Sequence, residues 1–380
     1  MGLGRRRPAG RVGVRIDPAR FVNKSVMVGR DNESYVPKHK FQDFNIDRRL
    51  ITAVLNKGYK IPTPIQDQVI PYVVNGVDVV GIADTGTGKT AAFLLPLINK
   101  ILKNQREQVL IVAPTRELAL QIDQEFKCFA RGMRIFSVCC VGGMGIGRQI
   151  LELRQRNNLI VGTPGRLKDL IARKKINLSY FNTIVLDEAD RMVDMGFIND
   201  TRFIINLMPK ERQTLFFSAT ISGEIERIIK EFTSDPVRVS VKTRDTSKNV
   251  EQDIIRIGGK EKSEVLNNLL NQKEFNKVLI FGRTKHGVEK ISRNLLRRGF
   301  KAESIHGNKN NSQRQRALRM FKDNRIQVLV ATDVAARGLD IPDVSHVINY
   351  DIPATYEDYI HRIGRTGRWN KKGMALTFVE

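Results

Sequence analysis

Short apolar runs alternate with longer amphipathic stretches along most of this chain. From residue 77, the runs Val77–Ala83, Gln108–Pro114, Ile135–Val141, Leu159–Gly162, Thr183–Asp187 and Gln213–Ser218 are strand-sized and rich in β-branched residues. Between them lie stretches with helical spacing. In Ala91–Leu102, for example, Leu94, Leu97, Ile98 and Ile101 share one face. The pattern pauses in the polar segment from Val241 to Val250, which has no apolar period, and then resumes. Val278–Phe281, Lys301–His306, Gln327–Thr332, Ser345–Tyr350 and Met374–Val379 read as further strands. Such alternation predicts an α/β protein whose sheets are mainly parallel, with helices on both faces. The polar break divides it into a domain at 41–240, a linker at 241–250 and a domain at 251–380. Residues 1–40 mix Arg, Gly, Pro and small apolar residues without a period, and read as a flexible basic arm.

Composition narrows the classes. The apolar runs are far too short to cross a bilayer, and the basic amino-terminus lacks the apolar core and cleavage site of a secretory signal, so no membrane association is expected. Three cysteines, two of them the neighbours Cys139 and Cys140, offer neither a disulfide framework nor metal-ligand spacing. A reducing, cytoplasmic location is the expectation. Charge is more informative: 64 Lys and Arg face 40 Asp and Glu, for a net +24. The first 40 residues carry +7 of this and the remainder +17, so the basic character belongs to the folded body as well as the arm. An excess of this size points to a polyanionic partner, nucleic acid ahead of an anionic membrane.

Candidate chemistry lies where strands end, the usual ligand edge of doubly wound sheets. The run Ala83-Asp84-Thr85-Gly86-Thr87-Gly88-Lys89-Thr90 follows a strand and opens a helix. Its glycines allow backbone N–H groups to curl around phosphates, Lys89 would reach the β- and γ-phosphates, and Thr90 would offer a hydroxyl to Mg²⁺. The first position is Ala83 where the general pattern has Gly. A tight turn bearing a surface lysine would account for the glycines alone, but not for the strand, the Lys-Thr pair and the helix together. A second strand, Thr183–Leu186, runs into Asp187 and Glu188. Buried strands seldom finish in adjacent carboxylates without a cation or a reaction to serve. Asp187 would hold Mg²⁺, through water, and Glu188 would orient the attacking water.

Asp187-Glu188-Ala189-Asp190 resembles the signature of the DEAD-box ATP-dependent RNA helicases, and the remaining motifs of that family follow in order, as in a minimal core of bacterial type. The resemblance implies two tandem RecA-like domains that use ATP and Mg²⁺ and bind RNA. It implies that Gln66, in Gly58-Tyr59-Lys60-Ile61-Pro62-Thr63-Pro64-Ile65-Gln66, reads adenine, with Tyr59 against the ring and Phe41 as the upstream aromatic. Asp190, Ser218, Thr220, His361 and Arg362 would couple hydrolysis to strand separation. Arg365 and Arg368 would act on the γ-phosphate beside the catalytic Lys89, Asp187 and Glu188, and Gly338 and Asp340 would hold the ribose end. RNA would lie along Pro114, Thr115, Arg116, Gly142, Gly143, Thr163, Pro164, Gly165 and Arg166 in the first domain. In the second it would meet Arg283, Thr284, His306, Gly307, Arg314 and Thr332. Contacts of this kind address the sugar–phosphate backbone and tolerate sequence, while the 2′-OH marks RNA.

The resemblance implies an RNA-stimulated ATP hydrolase that remodels short duplexes or ribonucleoprotein complexes, acting as a monomer. Two other functions use the same residues: an ATP-gated RNA clamp or annealing factor, and a DNA-directed translocase. The chain departs from the family pattern after His306-Gly307, where Asn308-Lys309-Asn310-Asn311 replaces a run that usually carries Asp and then Ser-Gln. Weaker interdomain coupling or RNA contact in this half is the expected consequence. The family core also generally continues into one more helix, which would lie beyond Glu380.

Overall fold

A computed structural model describes residues 21–23, 35–84, 86–241, 250–336, 341, 343–367 and 372–380. The polypeptide forms two compact units, with the first domain before residue 245 and the second after it; Phe21–Asn23 belong to the second. Each is an α/β unit built on a parallel sheet.

The first domain contains β1 (Val79–Ala83), β2 (Val109–Val112), β3 (Ser137–Cys140), β4 (Leu159–Gly162), β5 (Thr183–Leu186), β6 (Gln213–Ser218) and β7 (Val237–Val241). Their order across the sheet is β3-β4-β2-β5-β6-β1-β7, and every pairing is parallel. Because side chains alternate along a strand, each strand feeds two cores. Val79, Val109, Ile111, Val185, Leu215 and Phe217 face one apolar layer, while Val80, Leu110, Val112, Ile184, Leu186 and Phe216 face the other. That double burial is why the strands read as continuous apolar runs rather than as alternating ones. The helix after β1 runs from Lys89 to Lys103 and buries Leu94, Leu97, Ile98 and Ile101 as their spacing predicts.

The second domain contains β8 (Val250–Arg256), β9 (Val278–Phe281), β10 (Ala302–Ile305), β11 (Val328–Ala331), β12 (His346–Asn349) and β13 (Gly373–Val379), ordered β10-β11-β9-β12-β13-β8. These pairings are parallel as well. Val278, Ile280, Val328, Val330, Ile348 and Phe378 share one core layer.

Strands β7 and β8 are absent from the sequence-based expectation. Both lie at the end of their sheet's strand order, and most of their residues are half-buried or exposed. Arg238 and Ser240 in β7 and the consecutive Glu251, Gln252 and Asp253 in β8 merge with the polar segment between them, which hides the strands. Strand therefore occupies Val241 and Val250, the two ends assigned to the linker, while 242–249 lie outside the described residues.

Candidate nucleotide and nucleic-acid site

All strands of a parallel sheet point their carboxyl ends to one edge, so the order of strands sets the order of the loops that follow them. In the first domain the loops with nucleotide chemistry follow β5, β6 and β1, which are consecutive in the sheet, and the candidate RNA loops follow β3, β4 and β2. The two sets meet at the β2–β5 pair. In the second domain the candidate RNA loops again follow three consecutive strands, β10, β11 and β9.

After β1 the chain turns through Gly86 (φ 83°) and Gly88 (φ 94°) into the helix that starts at Lys89. Thr87 Oγ1 donates to the Asp84 carbonyl at 2.8 Å. Lys89 is buried, and its Nζ donates to the Ala83 carbonyl at 2.7 Å, folded over the loop it serves. Thr90 occupies the next helical position. Gln66 sits against this loop: its Nε2 donates to the Gly88 carbonyl at 3.1 Å, while its Oε1 accepts from the Thr63 backbone N–H at 3.0 Å. A methyl group at Gly88 would run into Gln66 Nε2. Positive φ and this close approach together require glycine there. Thr85 lies outside the described residues.

Phe41 and Tyr59 differ in what they can offer. Phe41 is fully buried and meets Tyr59 edge-on, with ring centroids 6.2 Å apart. Tyr59 is only partly buried, packs on Phe129 at 6.1 Å, and its hydroxyl donates to Glu125 at 3.3 Å. Phe41 has no surface of its own and backs Tyr59.

The carboxylates after β5 form a buried network. Burial holds the Asp187 carboxyl above the usual carboxylate range, opposed by Lys89 and reinforced by Glu188. Glu188 adopts left-handed backbone (φ 53°, ψ 51°) at the start of the helix Ala189–Asp194. Its Oε2 accepts from Arg191 Nη1 at 2.6 Å, with both side chains buried. Asp190 turns towards β6: its Oδ2 accepts from the backbone N–H groups of Ala219 at 3.0 Å and Thr220 at 3.2 Å. Ser218 Oγ donates to the Thr220 carbonyl at 2.7 Å. Asp190, Ser218 and Thr220 are thus one hydrogen-bonded unit. Sequence reasoning missed Arg191; its signal was its place three residues after Glu188 on a helix.

A cation would suit this end of the sheet, since Asp187 is a buried carboxyl whose ionisation is opposed by two acidic neighbours. Thr90 and Asp187 are the residues that would hold Mg²⁺. No group of three His, Cys, Asp or Glu among the described residues forms a metal cage.

Three RNA candidates of the first domain are brought together. Thr115 caps the helix Arg116–Phe129, accepting from Leu118 N at 3.3 Å. The Arg116 guanidinium lies over Gly142 and Gly143, and a methyl group on Gly143 (φ 74°) would overlap it. Pro114, Thr163 and Pro164 are buried supports; Thr163 N donates to the Cys140 carbonyl at 3.0 Å. Gly165 is exposed, and Arg166 Nη1 donates to the Met144 carbonyl at 3.2 Å. Cys139 and Cys140 on β3 take no evident part: burial pushes both thiols up, Cys140 to about 12, which disfavours the reactive thiolate.

In the second domain Arg283 and Thr284 are exposed after β9, with Thr284 Oγ1 accepting from Gly287 N at 3.0 Å. His306 is buried, 3.0 Å from Glu289, while Gly307 is exposed. Glu289 also accepts from Ser304, His306 and Arg293, contacts that bring its carboxyl down to about 2. Asn308, one of the departures from the family pattern, accepts from Lys285 at 3.0 Å; the side chain of Asn311 lies outside the described residues. Arg314 is half-buried, and the Thr332 carbonyl accepts from Ala335 and Ala336. Arg362 is fixed in place: it forms a two-pronged pair with Asp333 at 2.6 and 2.7 Å, and its Nη1 donates to Asn349 and to the Asp351 carbonyl. The buried Arg365 donates from Nε to the His361 carbonyl at 3.3 Å. Gly338, Asp340 and Arg368 lie outside the described residues.

A glycine turn after β1 that carries a buried lysine, the Gln66 amide against that turn and a buried acidic pair after β5 mark the first domain as an α/β unit of the nucleotide-hydrolysing kind. Known proteins agree. Residues 63–228 match the DEAD/DEAH box helicase family, and residues 261–370 match the helicase conserved C-terminal domain. The chain is 47% identical to the ATP-dependent RNA helicase CshA of Listeria monocytogenes over 90% of its own length and 66% of that protein. To the DEAD-box ATP-dependent RNA helicase CshA of Bacillus subtilis it is also 47% identical, over 89% of this chain and 69% of that one. It spans about two thirds of the length of these relatives. Among solved structures it is similar to S. cerevisiae Dbp5 bound to RNA and ADP BeF3, with TM-score 0.79 and 29% identity over 90% of this chain and 89% of that one. It is likewise similar to Mss116p bound to ssRNA and AMP-PNP, with TM-score 0.78 and 28% identity over 88% and 72% of the two chains. The chain belongs to the DEAD-box family of ATP-dependent RNA helicases.

Proposed function

We propose that this protein hydrolyses ATP in the presence of Mg²⁺ and couples hydrolysis to local opening of short RNA duplexes or remodelling of RNA–protein complexes. The observation that carries the reading is the division of the first sheet edge. Candidate nucleotide residues follow β5, β6 and β1, candidate RNA contacts follow the adjoining β3, β4 and β2, and the boundary falls beside the loop that carries Asp187 and Glu188. Gln66 reads adenine from the side of Gly88, and Tyr59 supports the ring. Lys89 leaves the Ala83 carbonyl for the phosphates, an exchange of one strong acceptor for another. Thr90 and Asp187 would hold Mg²⁺, which would supply charge neutralisation for the phosphates. Glu188 takes the proton of the attacking water while Arg191 holds its carboxylate in position. Any shift of Asp190 is felt at Ala219 and Thr220 through the bonds they share, which gives hydrolysis a mechanical outlet. From the second domain, Arg365 and Arg368 supply positive charge for the transition state, and Gly338 and Asp340 hold the ribose.

On the RNA side, Arg116, Arg166, Arg283 and Arg314 pair with phosphates, and exposed glycine N–H groups and threonine hydroxyls complete the cradle. Action as a monomer in the cytoplasm is part of this proposal; among the described residues no helix is long and apolar enough to cross a membrane. Displacement of one strand from a short RNA duplex is the test. Displacement that requires ATP and fails on the matching DNA duplex is expected. Tight ATP-dependent RNA binding without displacement would instead establish a clamp.

A further inference from the structure

The stretch of chain that leads into Phe41 is fixed by a carboxylate one residue beyond Gln66. Gln66 and Asp67 are neighbours in the helix Pro64–Val74, and both are buried. Successive helix positions point about 100° apart, so the two side chains leave the helix in different directions. Gln66 meets the loop at Gly88. Asp67 meets residues 35–39 instead. Its carboxylate accepts from the Tyr35 hydroxyl, from Lys38 N at 2.8 Å and from His39 N at 3.1 Å, and His39 Nδ1 lies 2.7 Å away. Burial opposes ionisation of Asp67, yet the bonds from Tyr35, Lys38 and His39 together hold its carboxyl below the usual carboxylate range.

A second buried side chain fixes the chain further along. Asn99, on the helix Lys89–Lys103, accepts from Asp47 N at 2.9 Å and donates to the Asn45 carbonyl at 3.3 Å. Phe41 lies between these two anchors, in a continuous path of rings. By centroids, His39 is 5.5 Å from Phe44, Phe44 is 6.0 Å from Phe41, and Phe41 is 6.2 Å from Tyr59. The carboxylate that grips His39 is thus linked through packed rings to Tyr59, and through one peptide unit to Gln66. A buried carboxylate that loses its donors is costly, so these bonds are made together or not at all.

We propose that Asp67 is a positioning residue for the base of the nucleotide: it holds residues 35–39 against the helix that carries Gln66, and so sets Gln66 and Tyr59 in fixed register. The proposal rests on the reading of Gln66 as the adenine-reading residue and adds what holds that reader and its aromatic neighbour together. A site held in place before the ligand arrives loses less entropy on binding, and the benefit falls on the group that both residues address, the base. Phosphate binding at Lys89 lies outside this effect.

Equilibrium titrations of the full chain with ATP, GTP and inorganic tripolyphosphate, without RNA, separate the base from the phosphates. Asp67→Asn removes the charge at the centre of the contact. Tyr35→Phe removes one donor from an exposed side chain, and it carries the test if Asp67→Asn fails to fold. Both variants should bind ATP several-fold more weakly, Asp67→Asn more so, with a smaller preference for ATP over GTP and unchanged affinity for tripolyphosphate. An equal loss for ATP and tripolyphosphate would mark a tie that serves only the fold and overturn the proposal. Gln66→Ala, measured in parallel, keeps the two readings apart. A preference for ATP that is lost in Gln66→Ala but kept in the Asp67 and Tyr35 variants overturns this proposal alone. No preference in the wild type, or one that survives Gln66→Ala, overturns the reading of Gln66 and this proposal with it.

Discussion

Gly88 holds a positive φ of 94° under the Gln66 amide, and the two residues depend on each other through the bond from Nε2 to the Gly88 carbonyl. Gly88→Ala introduces strain in the backbone and a clash with that amide. The expected loss is about 1–3 kcal/mol of stability together with weakened ATP binding, measured by denaturant melts and nucleotide titration. Arg362 offers a contrast, being a buried charge whose donors are engaged within its own domain. Removing it by Arg362→Ala strands Asp333 and should cost the second domain about 3–5 kcal/mol, read as a lower midpoint in urea. A loss of ATPase with unchanged stability would instead show that Arg362 acts mainly in coupling. Arg191 carried only a weak signal in the sequence, its i,i+3 spacing from Glu188. A basic residue on a helix is unremarkable until folding shows that the helix presents it to Glu188 and buries both.

Among the elements, strands buried on both faces were legible because most of their residues are apolar. The edge strands β7 and β8 were not, since half their residues meet water and their polar positions blend into the segment they flank. Motif order along the sequence also concealed the spatial split of the sheet edge. Gly142-Gly143 and Arg116 are weak signals separately, and only the β3-β4-β2 order places one under the other. Gly143→Ala should therefore weaken RNA binding while leaving ATP affinity intact, a difference that paired titrations would detect. In the second domain, Glu289 ties Ser304 and His306 to its helix. Its carboxyl is lowered to about 2, so the stability it contributes is present above the ordinary carboxylate range and is lost as pH falls from about 5 towards about 2. Glu289→Gln should flatten that part of the domain's acid-stability curve; an unchanged slope would assign the loss to other carboxylates.

For the molecule as a whole, the net charge of +24 is distributed over arm and body, and binding to a phosphate backbone releases counterions. RNA affinity should fall at least on the order of tenfold between about 50 and about 200 mM salt, with little dependence on RNA sequence. The central claim is that buried acidic chemistry on β5 drives RNA work at the neighbouring strand ends, and Glu188→Gln tests it most directly. The substitution preserves shape and removes the base. Measured together, steady-state ATPase should drop at least about 10²-fold while ATP-dependent RNA binding survives. Wild-type ATPase in this variant, or loss of ATP-dependent RNA binding along with activity, would contradict the account.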